Sequence, residues 1–471
     1  MKILVTNGAY KHTLALVRSL GAAGHEVGVV AHRWAAVSFF SRYCSRRHVV
    51  KTNGKRAFVD NILDILQKER YDVLLPVGLP TVVWLAERAD EIRQFTNMPL
   101  ANVEKIKLFE NKQATYDLSV ALNIPTPLSF FPKDRADADI CAAKLTPPIV
   151  VKHCKKSGSD WLKYANTKEE AVNFYLKMLE LEAENELKIK NSELKIDKNA
   201  ENTEGSVFEL KIKNSEFRID ENAKNTEGAL FELKIKNVIA RDEATELKIG
   251  ESPQNDQNTE RPTSEFKNAL SLQTSKVIAR HEAIKLQTNI LFQEYLTGGG
   301  FGFFGLYESG VFKQGFAHER IREFPVSGGA SCCAESIDNE QLTQYGRRIL
   351  EAVDWHGVAM VEFKMDANGQ PRLLEVNPKL WGSFDLSVAA GVPFSEKWVQ
   401  LALNQPISDH QDYQKGVQFS WLFDGDLKNG LETGKFWQIL RGGIFDKKTR
   451  TNLTFRDPLA SLFLILIGLK T

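Results

Sequence analysis

Apolar and polar positions along the first hundred residues alternate between strand-like and helix-like spacing. KILVTNG reads as a short apolar strand, HTLALVRSLGAAG as an amphipathic helix that ends at glycine, and EVGVVAHR and YDVLLPVG as two further strands. Strands that alternate with helices of this length are typical of an open α/β unit with a parallel sheet. The pattern therefore predicts an α/β domain over residues 1–105.

Further along the chain the spacing of apolar and polar positions is different. PPIVVKHC reads as an apolar strand, and residues 290–324 alternate apolar and polar positions between glycine-rich turns. NEQLTQYGRRILEAVDW then has the spacing of an amphipathic helix, and VAMVEFKMDANGQPRLLEVNP (358–378) reads as a β-hairpin. Strand-like and helix-like spacing therefore continues to the end of this hairpin.

A tandem repeat interrupts this pattern. ELKIKNSELKIDKNAENTEGSVF (186–208) recurs as ELKIKNSEFRIDENAKNTEGALF (209–231), and VIARDEA (238–244) is echoed by VIARHEA (277–283). Two near-complete copies, rich in Lys, Glu and Asn, are too few and too polar for a solenoid core. We therefore predict that residues 181–288 are a low-complexity insert, mostly disordered and outside any active site. A partner-binding arm is the alternative.

Composition narrows the function classes. The 471 residues contain 61 basic and 60 acidic side chains, so no bulk charge favours nucleic acid. Five cysteines, without zinc spacing, fit a cytoplasmic protein with free thiols. The first turn, TNGAYKHT, lacks two of the three glycines of a dinucleotide-binding motif, and no P-loop motif occurs. The apolar run LASLFLILIGLK (459–470) is too short to span a bilayer, so we expect a buried terminal helix, with a membrane-surface or partner contact as the alternative.

The predicted hairpin places two acids opposite each other. Asn368-Gly369 is the pair that favours a two-residue type I′ turn, in which both central residues have positive φ. With that turn, Phe363 faces Leu374 and Glu362 faces Glu375. Directly opposed like charges destabilise a sheet unless something offsets them. The alternative is a solvated sheet face with a different register.

A divalent cation would offset the two charges. Asn377 lies two residues beyond Glu375 and therefore on the same face of the strand. Two carboxylates and an amide suit Mg²⁺, which keeps its other positions for water and phosphate oxygens. The sequence therefore predicts a magnesium site on Glu362, Glu375 and Asn377.

Other basic residues are candidates for binding anions. Lys152 ends an apolar strand, where its charge costs desolvation energy unless an anion meets it, and a short basic, glycine-containing loop follows at 155–159. His318, Arg320 and Arg322 alternate along FAHERIRE and share one face if the run is extended. They could bind a carboxylate or phosphate, or pair with acids of the chain such as those across the strand.

These motifs together resemble the ATP-grasp superfamily, and in particular its carboxylate–amine ligases and the ATP-grasp halves of the carbamoyl-phosphate synthase large subunit. The resemblance depends on FENKQ, the strand lysine with its glycine loop, ILFQEYL, VEF and LLEVNPK. It implies a Rossmann-like pre-ATP-grasp domain followed by an ATP-grasp fold of two α+β subdomains. The implied boundaries are 1–105 for the first domain, 106–180 with 289–400 for the second, 181–288 for the insert and 401–471 for a mixed C-terminal segment.

The resemblance also implies roles for single residues. Contacts to ATP are expected from Lys112, Lys152, Ser157, Gly158, Ser159, Gln293, Glu294, Tyr295 and Leu296. Mg²⁺ or Mn²⁺ is expected on Glu362, Glu375 and Asn377. Catalytic contacts are expected from His318, Arg320, Arg322 and Lys379, the last of which stands where the family usually has arginine. The acid that the family often places on the ribose hydroxyls has no counterpart in GGGFGFFG.

The implied reaction is ATP-dependent activation of a carboxylate as an acyl-phosphate, followed by attack of an amine or similar nucleophile. Its partners would be a small-molecule carboxylate and an amine, with no nucleic acid and with a homo-oligomer allowed. Two alternatives stay open at this point. One is a small-molecule kinase on the same fold, and the other is a non-catalytic nucleotide-binding protein.

Overall fold

The computed structural model describes most of the chain apart from the repeat region. The described residues are 1–50, 54–156, 161–193, 210–212, 215–217, 289–326, 328–408, 411–446 and 448–470. The chain divides into two compact units, one formed by Met1–Glu182 with Thr263–Thr471 and one formed by Ala183–Pro262. No helix within the described residues is long and apolar enough to cross a membrane.

The first unit begins with the predicted α/β domain. Four parallel strands lie in the order β3-β2-β1-β4; two helices and a short 3₁₀ turn at Val37–Phe40 connect them, and two more helices follow the last strand. The strands are β1 Lys2–Val5, β2 Glu26–Ala31, β3 Cys44–Val49 and β4 Val73–Leu75, and the helices are α1 Lys11–Ala22, α2 Lys55–Lys68, α3 Leu79–Ala86 and α4 Ala89–Ile92. The apolar pattern did not reveal β3, because CSRRHV is a mostly polar edge strand.

A second, antiparallel sheet follows. Its order is β5-β10-β6-β7, so β10, which follows the repeat region, pairs with β5 and β6, which precede that region. The elements are α5 Val103–Glu110, α6 Lys112–Ala121, β5 Ser129–Phe130, α7 Arg135–Ala143, β6 Ile149–His153, β7 Leu162–Ala165, α8 Lys168–Glu193 and β10 Ile290–Glu294. This neighbourhood is compatible with an insert between β7 and β10.

In the other compact unit, β8 Leu210–Ile212 pairs antiparallel with β9 Ser215–Phe217. Helix α8 extends to Glu193, which is past the predicted start of the insert at 181. Residues 194–209, 213–214 and 218–288 lie outside the described residues, and so does most of the segment for which disorder is predicted. The insert boundaries stay a prediction.

A seven-stranded sheet completes the first unit. Its order is β15-β14-β11-β12-β13-β16-β17, antiparallel except for the last pair. The strands are β11 Gly300–Glu308, β12 Val311–Phe324, β13 Ala330–Ile337, β14 Gly357–Met365, β15 Pro371–Asn377, β16 Gln418–Ser420 and β17 Thr449–Thr451. The helices are α9 Glu340–Glu351, α10 Phe384–Ala389, α11 Phe394–Ala402, α12 Leu427–Glu432, α13 Phe436–Phe445 and α14 Pro458–Lys470.

Helix α9 illustrates how this sheet is covered. Asn339 caps the helix by accepting the Leu342 N–H at 3.0 Å. Leu342, Ile349 and the side of Gly346 face the core, where Gly346 leaves room for the ring of Phe303 on β11. The helix therefore begins at a polar cap and buries one apolar face against the sheet.

The terminal helix α14 was expected to be buried, and one face of it is. Ala460 is buried beside Leu14 and Val37, and the ring of Phe463 stacks on that of Phe40 at 4.1 Å between centroids. Asp457, just before the helix, is buried and accepts hydrogen bonds from Arg18 Nε and Ser41 Oγ, both at 2.8 Å. The opposite face of α14 is exposed to solvent.

Candidate active site

The acidic hairpin of β14 and β15 has the predicted pairing at its functional end but a different turn. Glu362 lies opposite Glu375, as predicted. The type I′ turn is wrong, since Gly369 has a φ of 75° whereas Asn368 is not in the positive-φ region. The Gly369 N–H instead donates to Asp366 O, and the Asp366 N–H donates to Gln370 O, both at 3.0 Å. The loop thus has three residues, a type I turn followed by glycine.

A bulge in β15 compensates for the longer turn. Phe363 lies opposite Leu373, not Leu374 as predicted, and the register shifts between Glu362 and Phe363. The extra residue in the turn moves the pairing by one, and the bulge at Leu374 moves it back. The predicted pairing of the two glutamates therefore holds because two departures from the simple hairpin cancel.

Both glutamates are largely shielded from water and held by different cations. Arg320 on β12 donates through Nη2 to Glu362 Oε2 at 2.9 Å. The Lys112 ammonium lies 3.6 Å from Glu375 Oε2, and the Asn377 amide donates to Glu375 Oε1 at 2.9 Å. The opposed like charges are thus offset within the chain.

The two carboxyls titrate in opposite directions. Burial raises the pKa of Glu362, the Arg320 cation opposes that rise and the charge of Glu375 adds to it. Burial also disfavours ionisation of Glu375, but the lysines around it, Lys112 first and Lys152 next, outweigh burial and lower its pKa to about 2. Glu375 therefore stays ionised to a lower pH than Glu362 does.

The predicted metal ligands fit Mg²⁺ by their chemistry. Within the described ranges, no cluster of three or more His, Cys, Asp or Glu side chains suited to a metal ion occurs. Two opposed carboxylates and the Asn377 amide, whose oxygen is left over when its nitrogen binds Glu375, nevertheless supply three oxygen ligands on one sheet face. Mg²⁺ is commonly held by one or two carboxylates and completed by water and phosphate.

The two predicted phosphate lysines lie beside these acids. Lys112 begins α6, and its ammonium is 3.5 Å from the carbonyl oxygens of Cys154 and Lys156. Lys152 on β6 is enclosed, and burial lowers its pKa to about 8, with Glu375 opposing that shift. The predicted loop residues Ser157, Gly158 and Ser159 lie outside the described residues.

A cleft of about 260 Å³, counted with its open mouth, lies between the two antiparallel sheets next to the lysines. Its lining residues are Lys112, Tyr116, Ser129, Phe131, Lys152, Leu291, Gln293, Leu373 and Leu374. Of the predicted hinge, only Gln293 is in this lining, where its side-chain amide donates to Ser129 Oγ at 2.8 Å. The Glu294 N–H donates to Leu128 O at 2.9 Å. Tyr295 packs edge-on against Tyr164, and Leu296 is buried.

Several lining residues were not foreseen from the sequence. Tyr116 of α6 and Leu291 of β10 lie far apart in sequence from Ser129 and Phe131, which come from β5 and the residue after it, and no motif connects these three segments. Leu374 lines the cleft beside Leu373 because the bulge in β15 breaks the alternation of its side chains. A signal for Leu374 existed in the doubled leucine of RLLEVN, which violates a strict period of two.

The basic triplet on β12 is divided among three different environments. His318 is buried, its Nε2 lies 2.9 Å from Ser383 Oγ, and burial, with Arg320 adding to it, lowers its pKa to about 3. Arg320 binds Glu323 and Glu362, at 3.1 and 2.9 Å. Between Arg320 and Arg322 the register of β12 shifts, which interrupts the single extended face assumed for the triplet.

Arg322 is directed to an acid far along the chain. Its Nε and Nη2 donate to the two carboxylate oxygens of Asp426, at 2.6 and 2.9 Å, in a bidentate pair. Asp426 is fully buried and also accepts from Ser420 Oγ. Sequence analysis missed Asp426, because it lies 104 positions beyond its partner in a segment without a recognisable motif.

Lys379 lies between the acidic hairpin and the first domain. Burial lowers its pKa, and the charges of Glu375 and Glu362 oppose that shift. His12, at the start of α1, is near enough that Lys379 contributes, after burial, to lowering the pKa of the imidazole to about 3. Lys379 therefore shares one electrostatic environment with the predicted metal ligands.

Comparison with known proteins supports the identification of the fold. A family model described as "ATP-grasp in the biosynthetic pathway with Ter operon" matches residues 316–424, a range that begins within β12 and ends within the turn after β16. A search of the curated proteins found no match.

Solved structures match over most of the chain. The biotin carboxylase domain of 2-oxoglutarate carboxylase from Hydrogenobacter thermophilus, in complex with MgADP, ADP and bicarbonate, is 12% identical with a TM-score of 0.53 over 88% of this chain and 73% of that one. N5-carboxyaminoimidazole synthetase from Staphylococcus aureus, complexed with ADP, is 12% identical, with a TM-score of 0.51 over 88% of this chain and 80% of that one. L-amino acid ligase from Bacillus licheniformis is 13% identical, with a TM-score of 0.50 over 89% of this chain and 78% of that one.

At 12 to 13% identity, these likenesses establish the fold alone. The chain has the ATP-grasp fold, with a Rossmann-like domain in front of it. The fold class and the resemblance to the ATP-grasp superfamily expected from the sequence are confirmed.

Proposed function

We propose that this protein is an ATP- and Mg²⁺-dependent ligase that activates a carboxylate as an acyl-phosphate for attack by an amine or similar nucleophile. The observation that carries the proposal is the pair of opposed carboxyls, Glu362 and Glu375, which faces two enclosed lysines at one end of the cleft. Carboxylates beside lysines are suited to holding a metal ion together with phosphate groups.

The cleft is suited to the nucleotide. The apolar side chains in its lining, Phe131, Leu291, Leu373 and Leu374, would contact the flat faces of the base. Lys112 and Lys152 line the same cleft and would neutralise phosphate oxygens. The ADP and MgADP complexes of two structural neighbours support this assignment.

Glu362, Glu375 and Asn377 would hold Mg²⁺, which when bound neutralises phosphate charge that develops during transfer. The side chains prepare this site before the ion arrives. Lys112 and Lys152 keep Glu375 ionised, and Arg320 fixes the carboxylate of Glu362 through a hydrogen bond of 2.9 Å. In this proposal Arg320 is first of all a positioning residue for Glu362.

The acceptor side of the site would be formed by Lys379 and Arg320, because Arg322 is paired with Asp426 and the His318 imidazole, with its pKa lowered to about 3, is neutral. A carboxylate oxygen of the substrate attacks the γ-phosphorus, the bond from that phosphorus to the β,γ-bridging oxygen breaks, and ADP leaves with the electron pair. The amine then attacks the acyl carbon, the bond to the phosphate oxygen breaks, and phosphate leaves while the nitrogen loses a proton. Buried cations orient the anionic substrate and stabilise both departing groups.

The test is an assay of ADP formation with Mg²⁺, using panels of small carboxylates and amines. A carboxylate labelled with ¹⁸O should transfer one label to phosphate, and ADP and condensed product should form in equal amounts. Glu375→Gln should reduce turnover by at least about 10²-fold, as removal of a group that acts on transition-state charge does, whereas Glu104→Gln on the exposed side of α5 should not.

Two results would contradict the proposal. Unlabelled phosphate would exclude an acyl-phosphate, and an unchanged rate in Glu375→Gln would remove the metal assignment. A stable phosphorylated carboxylate without any condensed product would instead favour the kinase alternative.

A further inference from the structure

The C-terminal segment exposes an unusual amount of apolar surface. Among the described residues, half of the large apolar side chains that are exposed lie between Leu431 and Leu469. Phe455 is fully exposed, and Trp437 and Phe445 are exposed to 77% and 76%. A concentration of exposed large apolar side chains in one segment of a folded protein indicates a site of interaction.

Two helices present this surface in the same way. On α13, Trp437, Arg441 and Phe445 recur every four residues and lie opposite Gly443, which packs against Leu422. On α14, the exposed leucines follow a spacing of three and four residues and lie opposite Gly468, which packs against Phe423. These leucines are Leu459, Leu462, Leu466 and Leu469.

Both helices therefore rest on one turn, Leu422–Asp426, and direct their apolar faces away from it. Helix α14 is apolar on its packed face as well, where Ala460 and Phe463 meet the first domain. A surface helix of a water-soluble protein normally has a polar outer face. The outer face of α14 is thus built for an apolar or interfacial environment.

The charges around this surface are mostly positive. Residues 427–470 contain eight Lys and Arg but three Asp and Glu, although the whole chain is almost neutral. One of the three acids, Asp457, is buried and bound to Arg18. Within the part of the chain that the structure describes, the exposed basic side chains here form no ion pair; they are Lys435, Arg441, Lys448, Arg450 and Arg456.

We propose that the exposed faces of α13 and α14, together with Phe455, bind the surface of a membrane that contains anionic lipids. Aromatic and leucine side chains enter the boundary between headgroups and acyl chains, and lysine and arginine remain at the level of the phosphates. A mixture of Trp, Phe and Leu with unpaired cations is the complement of such a surface. A second copy of this chain would bring the same positive charges together, which disfavours it as the occupant.

The test is co-sedimentation of the full chain with vesicles of phosphatidylcholine alone and of phosphatidylcholine mixed with phosphatidylglycerol. Binding to the anionic vesicles is expected, with a strong decrease at high salt. Trp437→Ser combined with Phe455→Ser should weaken binding more than about tenfold, because two large apolar side chains lose their burial in lipid. Each of Arg441→Gln, Lys448→Gln and Arg450→Gln should weaken it about fivefold.

The chain offers a matched control. Trp34 is exposed to 67% and stands next to the exposed Arg33, far from this segment in sequence and within the first domain. Trp34→Ser combined with Arg33→Gln should leave vesicle binding unchanged, and circular dichroism should show all variants folded, since every substituted side chain is exposed.

Three results would overturn the proposal. They are the absence of sedimentation with either vesicle, equal binding to both vesicles, and binding that the substitutions leave unchanged. Light scattering supplies a fourth: a dimer that Trp437→Ser with Phe455→Ser dissociates would assign the surface to a second copy of the chain. None of these outcomes depends on the reaction proposed above.

Discussion

Glu362 and Glu375 lie directly opposite each other on β14 and β15, yet their pKa values are displaced in opposite directions. Burial acts on both carboxyls in the same sense. The difference arises because Glu375 has lysines and an amide around it, whereas Glu362 has Arg320 on one side and the charge of Glu375 on the other. As the pH falls, Glu362 therefore takes up a proton before Glu375 does.

This asymmetry predicts a pH dependence of metal binding. Mg²⁺ needs the ionised form of Glu362, so Mg²⁺-dependent ATP binding should weaken as the pH falls through the raised pKa of that carboxyl. Arg320→Met removes the cation that opposes the shift, so its profile should move to higher pH. Calorimetric titration of ATP in the presence of Mg²⁺ from neutral to acidic pH measures the effect.

Arg347→Met is a suitable control for this prediction. Arg347 forms an exposed ion pair with Glu351 on α9, at 2.8 Å, and does not touch the hairpin. Its profile should match that of the unaltered chain. If Arg320→Met gave the same profile as well, Arg320 would have no influence on the charge of Glu362.

Lys152 gives a prediction at the alkaline end. Its ammonium form binds phosphate, and burial lowers its pKa to about 8, so ATP affinity should fall as the pH rises above that value, by up to about tenfold per pH unit. Lys152→Arg should flatten the profile, because a guanidinium stays charged. Lys163→Arg on the neighbouring strand β7 should retain the decline. A decline of equal size in Lys152→Arg would contradict the assignment.

The stability of the fold should respond to Lys152 with the opposite sign. In the unfolded chain the lysine has its ordinary pKa of about 10.4, whereas the folded value is about 8. Between those values the unfolded state binds more protons, so the free energy of unfolding contributed by this group rises with pH. Urea titrations with and without ATP at several pH values separate the two effects.

The acidic hairpin could be predicted from sequence because its information is local. Alternation, a turn signal and two acids 13 positions apart define which residues face each other, and Glu362 and Glu375 do so. The turn type itself was not recoverable. A type I turn with glycine after it and a type I′ turn use the same Asn-Gly pair, and the bulge at Leu374 that decides between them depends on packing against the cleft.

Residues joined only by the tertiary fold escaped prediction. The basic triplet on β12 was identified, but nothing local shows that Arg322 meets Asp426 or that His318 meets Ser383, 65 positions later. The walls of the cleft come from several elements, among them Tyr116 of α6 and Leu291 of β10. Periodicity describes which face of an element is buried, not which element it meets.

The pair of Arg322 and Asp426 predicts a large effect on stability. Asp426→Asn would remove the negative charge that the Arg322 guanidinium binds and would replace one of the two oxygens that accept from Arg322 and Ser420. The position is fully buried, so water cannot take over the lost contact. The expected loss is about 3–5 kcal/mol in the free energy of unfolding. Urea unfolding followed by circular dichroism measures it, and Glu351→Gln in the exposed pair with Arg347 should cost at most about 1 kcal/mol. Equal losses in both variants would show that burial of the pair is unimportant.

Two glycines in helices should respond in opposite directions to the same substitution. A Cβ on Gly346 of α9 would collide with the ring of Phe303 in the core, so Gly346→Ala should destabilise the fold by about 1–3 kcal/mol. A Cβ on Gly442 of α13 would meet no atom within 4 Å, so Gly442→Ala should stabilise it by about 0.5–1 kcal/mol through helix propensity. Thermal unfolding of both variants measures these effects. If Gly346→Ala stabilised the fold, the ring of Phe303 could not lie against Gly346 as described.

A final prediction concerns deletion of the repeat region. It rests on contacts between the residues just before this region and those just after it. The Asn289 side-chain amide donates to Glu182 Oε1 at 2.8 Å, and Cys154 N–H on the β6 side donates to Asn289 O. Glu182, before the repeat region, and Asn289, after it, are therefore in contact. Deletion of 186–283 retains Glu182 and Asn289 and leaves eight residues to connect them. The fold and ATP turnover should therefore survive.

The deletion should also be slightly stabilising. With the disorder predicted from the sequence for this region, closing a loop of about 100 residues costs roughly 2 kcal/mol more than closing a link of eight. Turnover of ATP by the deletion variant, with Glu375→Gln introduced into it as the inactive reference, measures the outcome, and thermal unfolding confirms that it is folded. A folded but inactive deletion variant would mean that the region contributes to the active site, and the proposal that 181–288 is an insert outside the reaction would then be wrong.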